Sequence, residues 1–150
     1  MKRLLSLLTA AVILASVAHA GDPKVEAVIA KDKDTKPATT FPANIPKLYA
    51  FIRTKGTEKG DKLRGVWVAE DVGDAAPKKT KIDEATLTAD EDDFYGAFSL
   101  TKPTKGWPVG KYKIEIYLGD ELATTTTFTI KAGKSTDISE DESKEESSDE

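Results

Sequence analysis

The sequence predicts an all-β protein, folded as a single sandwich of two packed sheets. Seven short segments between residues 21 and 133 alternate apolar and polar residues with a period of two, the pattern of strands that bury one face. Clusters of Gly, Pro, Asp and Thr separate these segments, and no clear helical pattern lies among them. This body of about 110 residues is the usual size of one sandwich domain.

The first 20 residues have the pattern of a bacterial secretory signal peptide. Lys2 and Arg3 are followed by an apolar run over residues 4–17 and by Ala18-His19-Ala20, an A-x-A cleavage site. The apolar run is short for a membrane span, although an uncleaved anchor is the alternative. We therefore expect cleavage after Ala20, a mature protein that is secreted or periplasmic, and no membrane span once the signal is removed.

The seven strands follow one another with turns between them. We expect them at residues 24–31, 47–54, 62–70, 80–89, 94–100, 112–118 and 121–130. The fourth is the weakest, because Asp83-Glu84-Ala85 could instead open a helical turn. Residues 31–46 are expected to form a loop that cannot join a central strand, since Pro37, Pro42 and Pro46 lack the backbone donor.

The last two segments predict a hairpin most clearly. In the first of them, even-numbered residues from Tyr112 to Leu118 are apolar and should face the core, and Lys111, Lys113, Glu115 and Tyr117 should face outward. Gly119-Asp120 permits the tight turn. In the final strand the pattern predicts one shared face for Leu122, Thr124, Thr126, Phe128 and Ile130. In the third strand we assign the Trp67 face to the core.

Charge divides the mature chain into a neutral body and an acidic tail. Residues 21–133 hold 18 basic and 18 acidic residues, whereas residues 134–150 hold two lysines and eight acids. A neutral body with an acidic tail is unsuited to nucleic acid, which needs a basic surface. The tail has one apolar side chain, Ile138, and is expected to be disordered and either solubilising or attractive to cations.

The mature chain lacks the side chains of the commonest catalytic and metal sites. The only His is His19, in the signal segment, and there is no Cys. Ser-His-Asp and Cys-His nucleophilic sites, the usual zinc and copper ligand sets and disulfides are therefore excluded. Carboxylates are plentiful, but nothing selects a pair for acid–base catalysis. We expect no enzymatic activity and no cofactor.

One motif gives a family resemblance. The stretch Trp107-Pro108-Val109-Gly110-Lys111-Tyr112-Lys113-Ile114 resembles the entry to the penultimate strand of immunoglobulin-like and fibronectin-type-III-like domains. In those families a Tyr hydroxyl closes the corner, and the resemblance implies this role for Tyr112. Trp67 resembles their core tryptophan. The resemblance implies a seven-stranded immunoglobulin-like sandwich of the kind found in small exported bacterial proteins of unassigned function, and fold alone implies no activity.

Several residues are candidates for binding. Asp90, Asp92 and Asp93, with Glu91 and with Asp71 and Asp74 if the loops meet, could supply oxygens to Ca²⁺, or they could form a solvated turn. The tryptophans and Tyr49, Tyr95 and Tyr117 could stack on a sugar; Tyr117 and Trp107 are the possible ligand contacts that we select, although Trp107 could instead cover the end of the sandwich. Thr125, Thr127 and Thr129 could mark an edge open to strand addition.

Two functions remain open at this point. The first is a secreted, non-catalytic binding module of the bacterial envelope, whose partner is an unidentified protein or glycan. The second is a structural or accessory subunit recruited into a larger extracytoplasmic assembly through a sheet edge.

Overall fold

The computed structural model of the chain describes residues 21–133 and shows two packed β-sheets. The strands are β1 (Lys24–Ala30), β2 (Thr40–Pro42), β3 (Lys47–Lys55), β4 (Lys62–Asp71), β5 (Thr80–Thr88), β6 (Tyr95–Thr101), β7 (Gly110–Leu118) and β8 (Glu121–Lys131). One sheet has the order β1-β3-β6 and the other β2-β8-β7-β4-β5. A short 3₁₀ turn, Gly73–Ala75, follows β4. The prediction of an all-β sandwich is confirmed.

All seven predicted strands are present, and the structure adds an eighth. The segment for which a helical turn was the alternative is the strand β5. The added strand, β2, lies inside the proline-rich loop and pairs in parallel with the end of β8. It lies at the edge of its sheet, so the missing donor of Pro42 costs no hydrogen bond in the sheet interior.

The core lies between the inner faces of the two sheets. Leu48, Ala50 and Ile52 of β3 are fully buried, and Trp67 of β4 is 1% exposed, which confirms the predicted core face of that strand. The ring of Phe128 packs edge-on against Trp67 at 6.0 Å between centroids and stacks on Tyr112 at 5.4 Å. These aromatic contacts join β4, β7 and β8, the central strands of the larger sheet.

The predicted faces of β7 are confirmed, but one residue of β8 was assigned wrongly. Tyr112, Ile114 and Ile116 are buried. Leu122 was predicted to share a face with Phe128 and Ile130, which are buried, but it is 53% exposed. The β7–β8 register shifts after Ile116, so Leu122 lies opposite Tyr117 rather than continuing the inward series of Thr124. A bulge reverses the alternation beyond it, and period-two reasoning does not detect such an insertion.

Two side-chain hydrogen bonds close the end of the sandwich where β7 begins. The hydroxyl of Tyr112 donates to the carbonyl of Pro108 at 2.6 Å, the corner contact that the family resemblance implied. The indole Nε1 of Trp107 donates to the carbonyl of Ile45 at 2.7 Å. The loops before β3 and β7 are thus tied together. Within residues 21–133 no helix is long and apolar enough to cross a membrane.

Candidate binding face

The outer surface of the three-stranded sheet carries a row of aromatic rings. Tyr49 and Phe51 of β3 lie 5.7 Å apart between ring centroids, with 23° between their planes. Phe51 and Tyr95 of β6 lie 6.4 Å apart, with 10° between their planes. Tyr95 is 58% exposed, and Val28 of β1, opposite Phe51, is 43% exposed. We call the outward-facing residues of β1, β3 and β6 the aromatic face.

The strand alternation dictates why these rings point outward. Leu48, Ala50 and Ile52 fill the core, so the residues between them must face solvent. The register then places Ala97 opposite Phe51 and Tyr95 opposite Arg53. Because Ala97 is small, Tyr95 reaches Phe51 diagonally across the two strands. The result is a continuous apolar surface on the outside of the protein, where scattered single apolar residues are usual.

The aromatic face has a surplus of positive charge. Its outward positions include four cations, Lys24, Lys47, Arg53 and Lys55, and one anion, Glu26. Lys47 Nζ lies 5.6 Å from the ring centroid of Tyr49. Among the residues that the structure describes, none of these four cations forms an ion pair. Since residues 21–133 are neutral in total, this local surplus is a property of the face and not of the domain.

Two shallow depressions flank Tyr95. One has a volume of about 440 Å³ and is lined by Lys24, Arg53, Lys55 and Asp93 among others. The other, about 340 Å³, lies toward Val28 and Phe51. Glu26, Arg53 and Tyr95 border both. The face therefore combines a projecting ring with recesses on either side, and it has no deep cleft of the kind that encloses a small substrate.

The opposite outer face, which carries Tyr117, is occupied by its own interactions. The Arg64 guanidinium carbon lies 4.2 Å from the ring centroid of Tyr117, whose hydroxyl donates to Glu115 at 3.1 Å. Lys113 pairs with Glu115 at 2.9 Å and lies 3.1 Å from Glu70. The hydrogen bond from Lys113 lowers the pKa of Glu115, and the pKa of Lys113 is correspondingly raised, first of all by Glu115. Arg64 covers a face of the Tyr117 ring, so a stacking ligand would have to displace it.

Trp107, the other selected contact, lies in the interior. It is 4% exposed. Its ring forms one wall of an apolar crevice of about 200 Å³, with Val72, Ala76, Ile82 and Pro103 among the other lining residues. A ligand would meet Trp107 from inside this crevice and not on the outer surface. Its hydrogen bond to the carbonyl of Ile45 fits the alternative role, in which Trp107 covers the end of the sandwich.

The calcium candidates act as acceptors for a neighbouring turn. Asp93 accepts from the backbone N–H of Gly56 at 2.7 Å, and Asp92 accepts from that of Lys59 at 2.9 Å. Asp71 lies at the far end of β4, where it pairs with Lys78 at 3.0 Å, so the loops do not meet. Nowhere in the described range do three or more His, Asp or Glu side chains converge as a metal site would require.

Sequence reasoning named Tyr49 and Tyr95 as stacking candidates but did not single out Phe51, which joins them. The signal was present in the sequence, since residues 49, 51 and 53 alternate with small or aliphatic residues that the core needs. Large aromatic side chains at outward positions 49 and 51 of β3 and 95 of β6 would have indicated the aromatic face. The edge candidates Thr125 and Thr127 lie on the outer surface of β8, next to Glu115 and Lys113 of β7.

Comparisons with known proteins do not identify a function. No protein-family model and no curated protein matches the chain. An immunoglobulin-like protein of Pseudomonas aeruginosa is similar over 74% of this chain and 93% of its own, at 17% identity and a TM-score of 0.45. A DNA glycosylase of Pseudomonas fluorescens (11% identity, TM-score 0.46) and a β-glucosidase of Listeria innocua (10%, 0.45) match over 73% and 72% of this chain.

This chain spans only 30% of the glycosylase and 16% of the glucosidase. The strand order of the two sheets and the corner contact of Tyr112 are those of an immunoglobulin-like sandwich.

Proposed function

We propose that the protein is an exported, non-catalytic binding module of the bacterial envelope, and that it holds a protein partner on the aromatic face. The pattern of residues 1–20 supports export. The absence of His and Cys from the sequence after residue 20 supports a role without the commonest catalytic chemistry. The observation that carries the proposal is the aromatic face itself, an outward-facing row of three neighbouring rings, of which Tyr95 is exposed and the other two half-buried, with lysine and arginine side chains around it.

A protein partner fits this face better than a glycan does. Neighbouring aromatic rings with an adjacent Arg and a polar rim are typical of protein–protein interfaces. In such interfaces, Tyr and Arg side chains often contribute most of the binding energy. Phe51 lies against both Tyr49 and Tyr95, so the three rings form one patch, whereas separate sugar rings would each need a free platform. The unpaired cations Lys47, Arg53 and Lys55 favour a partner whose rim is acidic.

A photo-crosslinking residue at position 95 tests the proposal in cells of the host. We expect Tyr95 replaced by a benzophenone amino acid to yield a discrete protein adduct, and Arg53→Glu to abolish it by reversing the charge beside that ring. The matched control is the same residue at Thr127, on the outer face of the other sheet. A diffuse, protease-resistant adduct would indicate a glycan. Equal adducts at both positions, or an adduct at position 127 alone, would remove the aromatic face from the proposal.

The acidic segment 134–150 can be tested in the same experiment. The proposal places the site on the sandwich, so residues 21–133 alone, which include all eight strands, should give the same adduct at position 95. Loss of the adduct on removing 134–150 would make that segment the binding element and the sandwich its carrier.

A second function is favoured by one specific observation. The edge strand β6, Tyr95–Thr101, contains no charged residue, and uncharged edges are open to pairing with other chains. This supports the alternative of an accessory subunit recruited through a sheet edge into an extracytoplasmic assembly. Chromatography of native extracts separates the two: a monodisperse monomer favours the binding module, and a defined complex that survives the Arg53→Glu change favours the subunit.

A further inference from the structure

Of the four strands that end the two sheets in the described sandwich, β6 alone lacks a protecting feature. The edge of β1 is covered, because Ile29 O accepts from the N–H of Ala38 and Ala27 O accepts from the hydroxyl of Thr126. The strand β2 is three residues long and ends in Pro42. The strand β5 carries Lys81, Asp83 and Glu84 and has a register shift. Such charges, prolines and bulges are how proteins prevent edge pairing.

The backbone of β6 presents a regular row of unpaired groups. Phe94 O accepts from Thr54 N on the β3 side, and Lys102 N donates to Pro46 O on that same side. Successive residues of a strand point their N–H and C=O groups to alternate sides. The even-numbered residues therefore face β3, and Tyr95, Ala97, Ser99 and Thr101 direct their backbone groups to the free edge. The β3–β6 pairing has no register shift, so this row is straight enough to template another strand.

The larger sheet extends beyond β6 and provides a floor for an added strand. A Cβ on Gly65 of β4 would lie 2.8 Å from the Phe98 ring, which shows that β6 lies above β4. The next strand of that sheet, β5, meets β6 where Leu87 lies close to Gly96 and otherwise extends past the edge. Its inward residues Ile82 and Leu87 are only partly buried, and Ile82 lines the crevice of about 200 Å³. A strand paired with β6 would cover them, completing the shorter sheet.

A single extended segment fits this place better than a whole second copy of the domain. A second copy that paired β6 with β6 would bring its own five-stranded sheet into the space that β5 already fills. An extended peptide brings no second sheet. Its alternate side chains would face Ile82 and Leu87 on one side and solvent on the other.

Charges at the two ends of β6 indicate the direction and composition of that peptide. Asp90 and Glu91 precede the strand and are exposed, and Lys102 and Lys105 follow it. Antiparallel pairing, the more stable of the two directions, places the first residues of the peptide beside the lysines. We propose that the free edge of β6 binds an extended segment of a partner protein, antiparallel, with acidic residues, then alternating apolar residues, then basic residues. This proposal rests on the second function given above, and it uses the backbone groups of Tyr95 and Ala97, not their side chains on the aromatic face.

Two synthetic peptides test it against the mature protein. The matched peptide is Asp-Asp-(Val-Thr)₃-Val-Lys-Lys, and the control has the same centre with the charged ends exchanged. Amide hydrogen exchange measured by NMR should show slower exchange at Tyr95, Ala97, Ser99 and Thr101 with the matched peptide, which should bind more tightly than the control. No binding at millimolar peptide, equal binding of the two, or protection elsewhere would overturn the proposal.

Proline substitutions provide a second test with a matched control. Ala97→Pro removes a donor from the free edge and leaves the β3 ladder intact, so the matched peptide should bind at least about tenfold more weakly. Thr86→Pro likewise removes a donor from the free edge of β5. The backbone groups of Ala89 point toward β4, so those of Thr86, three residues earlier, point away from it. This control should leave the affinity for the peptide unchanged. Unchanged affinity in Ala97→Pro would contradict the proposal. Should that variant not fold, the exchange pattern of the unmodified protein decides alone.

Discussion

Replacing Tyr112 with Phe should change the pH dependence of stability in a way that identifies the corner hydroxyl. Tyr112 is 2% exposed, and its hydroxyl donates to Pro108 O at 2.6 Å. Near neutral pH, loss of this hydrogen bond should lower the free energy of unfolding by about 1 kcal/mol. Burial also raises the pKa of Tyr112 from 10.0 to about 12 in the folded protein. The ionised phenolate is therefore disfavoured in the fold.

The sign of the alkaline effect follows from that raised pKa. A group with a higher pKa in the folded state contributes its full stabilisation below the unfolded pKa, near 10, and loses it as the pH rises toward 12. The two-unit shift corresponds to about 2.7 kcal/mol in total, of which about 1.4 kcal/mol is lost by about pH 11. Phe cannot ionise, so the variant escapes this loss. The two stability curves should cross close to pH 11, with the variant more stable above it.

Urea unfolding followed by far-ultraviolet circular dichroism between about pH 8 and pH 12 measures both effects. The difference between the two proteins cancels the titration of the lysines and of the other tyrosines. Tyr95→Phe, which removes the same atom from an exposed ring, is the matched control. Parallel curves for the unmodified protein and Tyr112→Phe would refute the account of a buried, hydrogen-bonded hydroxyl.

Three further predictions concern close packing, and each is measured by urea or thermal unfolding. Gly110→Ala should cost about 2 kcal/mol or more, because Gly110 has φ +153° and a Cβ would collide with the backbone after β4; a cost near zero would contradict this. Gly65→Ala places a Cβ 2.8 Å from the Phe98 ring, so Gly65→Ala with Phe98→Leu should cost about 1 kcal/mol less than the sum of the two single changes, and strict additivity would argue against the contact. Trp107→Phe leaves Ile45 O without its donor and should cost about 1–3 kcal/mol, whereas an unchanged unfolding midpoint would show that water replaces it.

The sandwich could be predicted from the sequence because each strand buries one face, so apolar residues alternate with polar ones along it. The prediction failed at positions whose conformation depends on strand pairing and not on burial of one face. The strand β2 is too short for a period and exists because Thr40–Pro42 meets the end of β8. Leu122 faces outward because of a register shift that appears only when two strands are aligned. Neither feature leaves a local trace that one segment could show by itself.

For the candidate site, too, the direction of each side chain could be predicted from the sequence, but the contacts between strands could not. The alternation of apolar core residues along β3 predicts that Tyr49 and Phe51 point outward, and the alternation along β6 predicts the same for Tyr95. That the three rings form one patch depends on the β3–β6 register, which places Tyr95 diagonally beside Phe51. Tyr117 is outward as expected, but the sequence could not show that Arg64 comes across from the neighbouring strand to cover its ring.

The position of β8 has a consequence for how the chain folds. This final strand lies inside the larger sheet between β2 and β7, and Thr126 bonds to Ala27, 99 residues earlier. β1 can pair with β3 early, but the interior of the larger sheet and the Thr126–Ala27 hydrogen bond cannot form until residues 110–131 are available. Closure of such distant contacts is slow, on the millisecond-to-second timescale of β-sandwiches. In the exported protein that we propose, the larger sheet would therefore close only after residues 110–131 have emerged from a translocation channel.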